Sequence, residues 1–253
     1  MQRRTVLWAL TAIGALSSLA GGPARVFAAA SRRYAVLPLT GPLHVVTHQM
    51  QTGSHMDSNV QDDRPALGHD LALLLAREMS AALKAADAGC AVDLLDADMP
   101  ELAKNAGALS VAGQLAMAED DAAAIAQGGT THLLLVLPWR RQTRMQMEHN
   151  TVGSGAVEGI GLYFDNGIVV ENTETGDRTP GYLGVYTYLR FALFAVDAGT
   201  TRWPLLATAD VTDSRTVLKD SDNRERAEVL HALVHQVAEQ HVPAALRKAG
   251  LIS

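Results

Sequence analysis

Three histidines stand near a serine and two aspartates in the first third of the chain: His48, His55 and His69, with Ser54, Asp57 and Asp70. These residue types serve nucleophilic catalysis, in which a base takes the hydroxyl proton and a carboxylate orients the base. They are also ligand types for a metal. Ser54, His55 and Asp57 are nearly adjacent in sequence, whereas triad geometry normally draws its members from separate elements. No Gly-x-Ser-x-Gly elbow is present, and Gly153-Ser154-Gly155 lacks the remaining glycine. The histidine spacing fits no metal-ligand pattern. The expectation is no catalytic residue and no metal, with Ser54, His55 and Asp57 on a 51–70 loop as the catalytic alternative, a hydrolase or metal-dependent enzyme.

Other constellations are weighed in the same way. His231 and His235 lie one helical turn apart, but the intervening Ala-Leu-Val lacks the general-base Glu of the zinc-protease motif. Gly153 to Gly161 is not a dinucleotide fingerprint, because it reads as a strand rather than as the turn that opens a helix. Gly153, Gly155, Gly159 and Gly161 share one parity, broken only by Val157, so that face could carry something large laid flat across it. Tyr186 and Tyr188 are candidates to cover it. Trp139, Arg140, Arg141 and Arg144 read as a solvated strand end. The face formed by Tyr182, Tyr186, Tyr188 and Arg190 is the candidate binding surface, since tyrosine and arginine are favoured at interfaces.

These residues need elements to position them. Tyr182 to Asp213 reads as two long strands joined at Asp197-Ala198-Gly199. Side chains alternate along a strand, and a three-residue loop with Gly199 left-handed would pair odd with odd, Leu193 with Trp203 and Leu189 with Ala207. Pro204 cannot donate to a ladder, which places an edge or a bulge there. Upstream, strands are expected at Tyr34–Leu39, Leu43–Gln49 and Ala91–Leu95. His132–Leu137, apolar on both faces, reads as a strand buried on both sides. Pro65 suits a helix start, with an apolar stripe Leu67, Leu71, Leu74, Leu75, Met79, Ala82 and Leu83, closed at Gly89. Pro100–Asn105 reads as a helical turn. A second helix is expected from Ser110 with stripe Val111, Leu115, Ala118, Ala122 and Ile125. Asn166-Gly167 supplies a tight turn into Ile168–Glu171. A last helix begins near Asp222 with Glu225 in a capping box, buries Leu230, Leu233, Val234, Val237 and His241, and should be kinked or interrupted at Pro243.

The first thirty residues are set apart from the fold. Arg3 and Arg4 precede an apolar run, Val6–Ala20, and Val26-Phe27-Ala28 gives a small-residue cleavage pattern. The expectation is a signal peptide, of twin-arginine or general secretory type. Acidic residues outnumber basic ones, 27 to 21, and three of the basic ones leave with that leader. An acidic surface argues against nucleic acid, whose usual partner is a basic face. Cys90 is the single cysteine, which excludes an intramolecular disulfide. No cysteine follows the apolar run, so no lipid anchor and no stable membrane attachment are expected after cleavage.

The element order, with YLRFALFAVDAGTTRW before a final helix, resembles the envelope α/β domains of the penicillin-binding-protein activator lipoproteins and the curli-secretion group. Leu189 to Trp203 carries the likeness, and the lipidated cysteine of those families is missing here. The chain also looks like an uncharacterised group of exported bacterial proteins. The expectation is one α/β (α+β) domain over 31–253, with a mixed, largely antiparallel sheet, a long C-terminal hairpin and two or three packing helices. A Gly-rich hairpin insertion is expected around 152–171. The expected role is binding or scaffolding in the periplasm, without a cofactor, with an envelope protein or cell-wall component as partner.

Overall fold

The computed structural model describes residues 32–47, 60–95, 113–146, 151–152, 155–171, 176, 178–218 and 223–253. The leader, the Ser54–Asp57 cluster, His48 and the expected Pro100–Asn105 turn lie outside the described residues. The strands are β1 (Arg33–Pro38), β2 (Leu43–Thr47), β3 (Val60–Arg64), β4 (Ala91–Leu94), β5 (Gln114–Ala116), β6 (His132–Pro138), β7 (Arg141–Gln142), β8 (Met145–Gln146), β9 (Thr151–Val152), β10 (Ala156–Val157), β11 (Gly159–Glu171), β12 (Arg178–Ala195) and β13 (Arg202–Leu218). The helices are α1 (Pro65–Ala86), α2 (Glu119–Gln127) and α3 (Asn223–Lys248).

Among the described residues nine strands form one mixed sheet, and β12 is its axis. One edge of β12 carries the antiparallel β13. The other edge is shared: β6 pairs antiparallel with Leu189–Ala195, and β11 pairs antiparallel with the half that contains Tyr182–Tyr188. β6 stops at Pro138 opposite Leu189, and β11 starts at Gly159 opposite Tyr188. The next row outward is broken at the same level. There β1 runs parallel to β6 and ends at Pro38, and β2 begins at Leu43 parallel to β11. Backbone bonds from Leu39 N–H to Val136 O and from Trp139 N–H to Tyr188 O, both 2.8 Å, hold the two chains as they leave the sheet. β4 and β3 close the outer edges.

The parity of the hairpin holds, but its register differs from expectation. Leu193 pairs with Ala207, Phe191 with Ala209 and Leu189 with Val211, while Phe194 pairs with Leu205 across a bulge. Gly199 is not left-handed. The connection is longer than three residues because Val196 leaves β12 to donate to Thr131 O, and Asp197 Oδ1 takes the Gly199 N–H at 2.9 Å. Trp203 is buried here with its indole N–H on Asp197 O and Thr200 O, which fixes the turn. The bulge lies beside Pro204, which pairs with Gln114 of β5. A residue without an N–H is thus placed where the ladder is already irregular.

The odd residues of β12, Val185, Leu189, Phe191 and Leu193, face a core built with Leu71, Leu75, Met79 and Leu83 of α1 and Leu233, Val234, Val237 and Leu246 of α3. The opposite face buries Ala192 and Phe194 with Leu115, Ala122 and Ile125, under α2. β6 is buried on both faces, as its unbroken apolar run requires: Leu134 and Val136 join the first core, Leu133, Leu135 and Leu137 the second.

Several local expectations change. Leu115 sits in β5, and the helix after it begins only at Glu119, where three acidic residues favour its positive end. Asn166-Gly167 makes no hairpin; β11 continues to Glu171 with a register shift against β12 between Asp165 and Val169. The Gly-rich segment is not an appendage, since Gly159 to Asp165 lies between β2 and β12. Helix α3 runs through Pro243. Gly89 does not close α1, which ends at Ala86 with Asp87 at the cap; Gly89, at φ +93°, lies in the turn that follows.

Candidate functional site

The two breaks in the sheet create the candidate site. The β1–β2 link, Leu39 to Pro42, crosses beneath the start of α1. It does so closely: a Cβ on Gly68 would lie 2.5 Å from Gly41 O and 2.6 Å from Pro42 Cα, so only glycine fits. Gly41 takes φ +76° to make the turn. Between link and helix opens a cleft of about 530 Å³, lined by Pro38, Leu39, Thr40, Gly41, Pro42, Asp63, Pro65, Gly68, His69, Ala72 and Pro138. Most of this lining is apolar or proline, so the walls are stiff. Three polar side chains contribute: Thr40, Asp63 and His69.

Asp63 is held from below. Its Oδ1 accepts from His44 Nδ1 at 2.8 Å and from Gln61 Nε2 at 2.9 Å. The Gln61 bond first and the His44 bond second keep its carboxyl below the usual carboxylate range. His44 is itself buried, and its ring lies against Gly159, where an added Cβ would sit 3.2 Å from Nε2. His44 and Asp63 therefore resemble a base and its orienting carboxylate, with Gly159 of β11 beside the imidazole. That bond orients Asp63. Asp63 belongs to β3, whose five residues are all exposed, and Arg64 beside it pairs with Asp62.

The tyrosine face is placed differently from a free surface. Tyr186 and Tyr188 are 1% and 0% exposed. Gly159 pairs with Tyr188 and Gly161 with Tyr186, and the Tyr186 ring occupies the space a Gly161 side chain would need. At Gly161 the missing side chain has its physical reason in the Tyr186 ring that lies across it, while Gly159 faces His44 instead. Tyr188 Oη accepts from the Arg144 N–H at 3.0 Å, which ties Arg144 to this face. Burial pushes both phenols up from their ordinary range. Arg190 grips Asp210 with two bonds, 2.6 and 2.8 Å, and its guanidinium lies 3.2 Å from the Trp139 ring centroid. Arg141 covers Trp139 as well, at 4.4 Å. For Tyr182 the backbone pairs with Asp165 and Leu218, and its side chain lies outside the described residues.

The remaining histidines are separated. His235 binds Glu78 of α1 at 2.6 Å and stands 3.8 Å from Glu239, while His231 is exposed one turn back. His241 stacks on Phe191 in the helix core. Among the described residues no group of three or more His, Cys, Asp or Glu is placed to hold a metal, and no helix is long and apolar enough to cross a membrane. Sequence reading considered His69 only as part of a His48–His55 cluster, and missed Thr40 and Asp63. The signal for the cleft was Thr40-Gly41-Pro42 between two strands with Gly68 in the following helix. It became meaningful only once the strands proved not to pair with each other.

The chain matches no family model and no curated protein. Among solved structures it is similar to a Xanthomonas campestris protein of the family DUF330, at 9% identity over 87% of this chain and 86% of that one, with a TM-score of 0.41. It is also similar to a neuraminyllactose-binding hemagglutinin homolog from Helicobacter pylori, at 8% identity over 88% of this chain and 92% of that one, again with a TM-score of 0.41.

Proposed function

We propose that the chain is exported to the periplasm and acts there by binding, without catalysis, with the cleft beneath α1 as its binding site. The cleft is the observation that carries this reading. Its size falls in the range of small-molecule sites, and its walls are preformed by strand ends, prolines and the first turns of a helix. Its polar groups are few, as in sites that orient a ligand rather than transform it. Export is supported by Arg3, Arg4, the Val6–Ala20 run and Val26-Phe27-Ala28. The resemblance of Leu189–Trp203 to envelope α/β families directs the search for a ligand to the cell envelope.

The test uses the full chain expressed in a bacterial host. The periplasmic protein should begin near Ala29 by N-terminal sequencing. Immobilised and exposed to a soluble envelope extract, it should retain a small compound, detected by mass spectrometry, that the cleft-filling variants Ala72→Leu and His69→Trp do not retain. Equal retention by wild type and variants would overturn the assignment of the cleft. Consumption of the compound with release of a product would overturn binding without catalysis.

A further inference from the structure

The polar groups of the cleft share one property: each has hydrogen-bonding capacity that no described residue takes up. Asp63 commits Oδ1 to His44 and Gln61, and leaves Oδ2 without a bond among the described residues. His69, in the first turns of α1, has neither ring nitrogen engaged among them. Thr40 is 2% exposed, and its Oγ has no partner among the described residues. Leaving a buried hydroxyl unpaired is costly, and native proteins do so rarely.

The charges near these groups offset one another. Asp63 is an ionised carboxylate, which repels an anion. The start of α1 lies beside it, with Pro65 and Gly68 in the lining, no acidic residue in the first turn and no side-chain cap on its first amides. That end carries about half a positive charge, which opposes a cation. His44 faces Asp63 from the other side. A free anion and a free cation are each opposed by one wall.

Building on the binding reading above, we propose that the cleft takes a neutral, polyhydroxylated small molecule such as a monosaccharide ring. A hydroxyl both donates and accepts, so a single group type satisfies what the lining offers. One hydroxyl donates to Asp63 Oδ2, and another exchanges a bond with the His69 imidazole. The C–H face of the ring lies on Pro42, Pro138 and Ala72. An acidic sugar meets Asp63 directly and is excluded.

The test is a calorimetric titration of the mature protein at neutral pH with glucose, glucuronate and glucosamine, three rings of one shape that differ in charge. Glucose is expected to bind at least fivefold more tightly than either charged ring. Asp63→Asn and His69→Ala, both at exposed positions, should each weaken glucose at least fivefold with unchanged circular dichroism. Tighter binding of glucuronate or glucosamine that Ala72→Leu abolishes would overturn the neutral assignment while keeping the cleft as a binding site. Glucose binding indifferent to Asp63→Asn and His69→Ala, or no binding by any ring, would overturn the proposal. The extract experiment then judges the cleft by itself.

Discussion

The two halves of β12 do different work. From Leu189 to Ala195 the strand lies against β6, and apart from Arg190 its side chains are aliphatic or phenylalanine, packed into the two cores. From Tyr182 to Tyr188 it lies against β11, and here the packing mixes glycines, tyrosines, the buried Thr187 and, one row out, His44. The first half is held by area removed from water, worth roughly 25 cal/mol per Å². The second is held by specific fits, an aromatic over a glycine and a hydrogen bond to a loop. The candidate site sits at the junction, where two rows of the sheet break together and regular packing stops.

The contrast can be broken most severely in the glycine half. Gly161→Val places a side chain where the Tyr186 ring lies, and the strand has no slack between β2 and β12. We expect a loss of about 4 kcal/mol, among the largest single-site effects, read from urea unfolding. Leu134→Ala, in the aliphatic half and fully buried, should cost about 3 kcal/mol by cavity formation. If the order of these two reverses, the glycine fit matters less than the contrast holds.

Gly68→Ala sharpens the junction itself. Its methyl would meet the backbone of Gly41 and Pro42, so α1 must shift away from the link. The expected cost is about 2 kcal/mol, together with loss of ligand retention. Unchanged stability and retention would show that the helix seats more loosely on the link. Arg190→Ala, which removes a bidentate pair and a stacked guanidinium from a mostly covered site, should cost about 1 kcal/mol.

The smallest effect concerns pH. His235 is fully exposed, and its bond to Glu78, with Glu239 nearby, raises its pKa above the unfolded value of about 6.5. The folded form therefore binds the proton more tightly than the unfolded form. Its stabilisation is complete below that unfolded value and is lost as pH rises through the raised folded one. His235→Gln should lower the urea midpoint slightly at pH 5.5 and leave it unchanged at pH 9. The reverse pattern would contradict the pairing between α1 and α3.

Much of this architecture was legible because it rests on periodicity. The unbroken apolar run His132–Leu137 announced a strand buried on both faces, and the stripes of α1 and α3 announced their buried sides, except that Leu67 is exposed. At Gly161 the glycine parity named its covering residue, Tyr186, because a missing side chain implies a neighbour that fills the space; at Gly159 that neighbour is His44. The hairpin register was not legible. Parity constrains a register only modulo two residues, and the turn was set by Trp203 and Thr131, which are distant in sequence or hidden in the loop. Asn166-Gly167 misled for a related reason: a turn-prone pair is overridden when strands on both sides continue to pair. The cleft was the least legible part. It depends on β1 and β2 lying in different rows beside β6 and β11, and no local pattern encodes that.

The central claim is that the junction, and not the tyrosine face, receives the ligand. Amide-resolved NMR of the labelled mature protein titrated with glucose tests it most directly. The account predicts shifts concentrated at Leu39 to Leu43, Asp63 to Ala72 and Trp139, with Ala192 to Val196 unmoved. Shifts centred on Tyr186, Arg190 and Asp210 with the link silent, or no shifts at all, would contradict it.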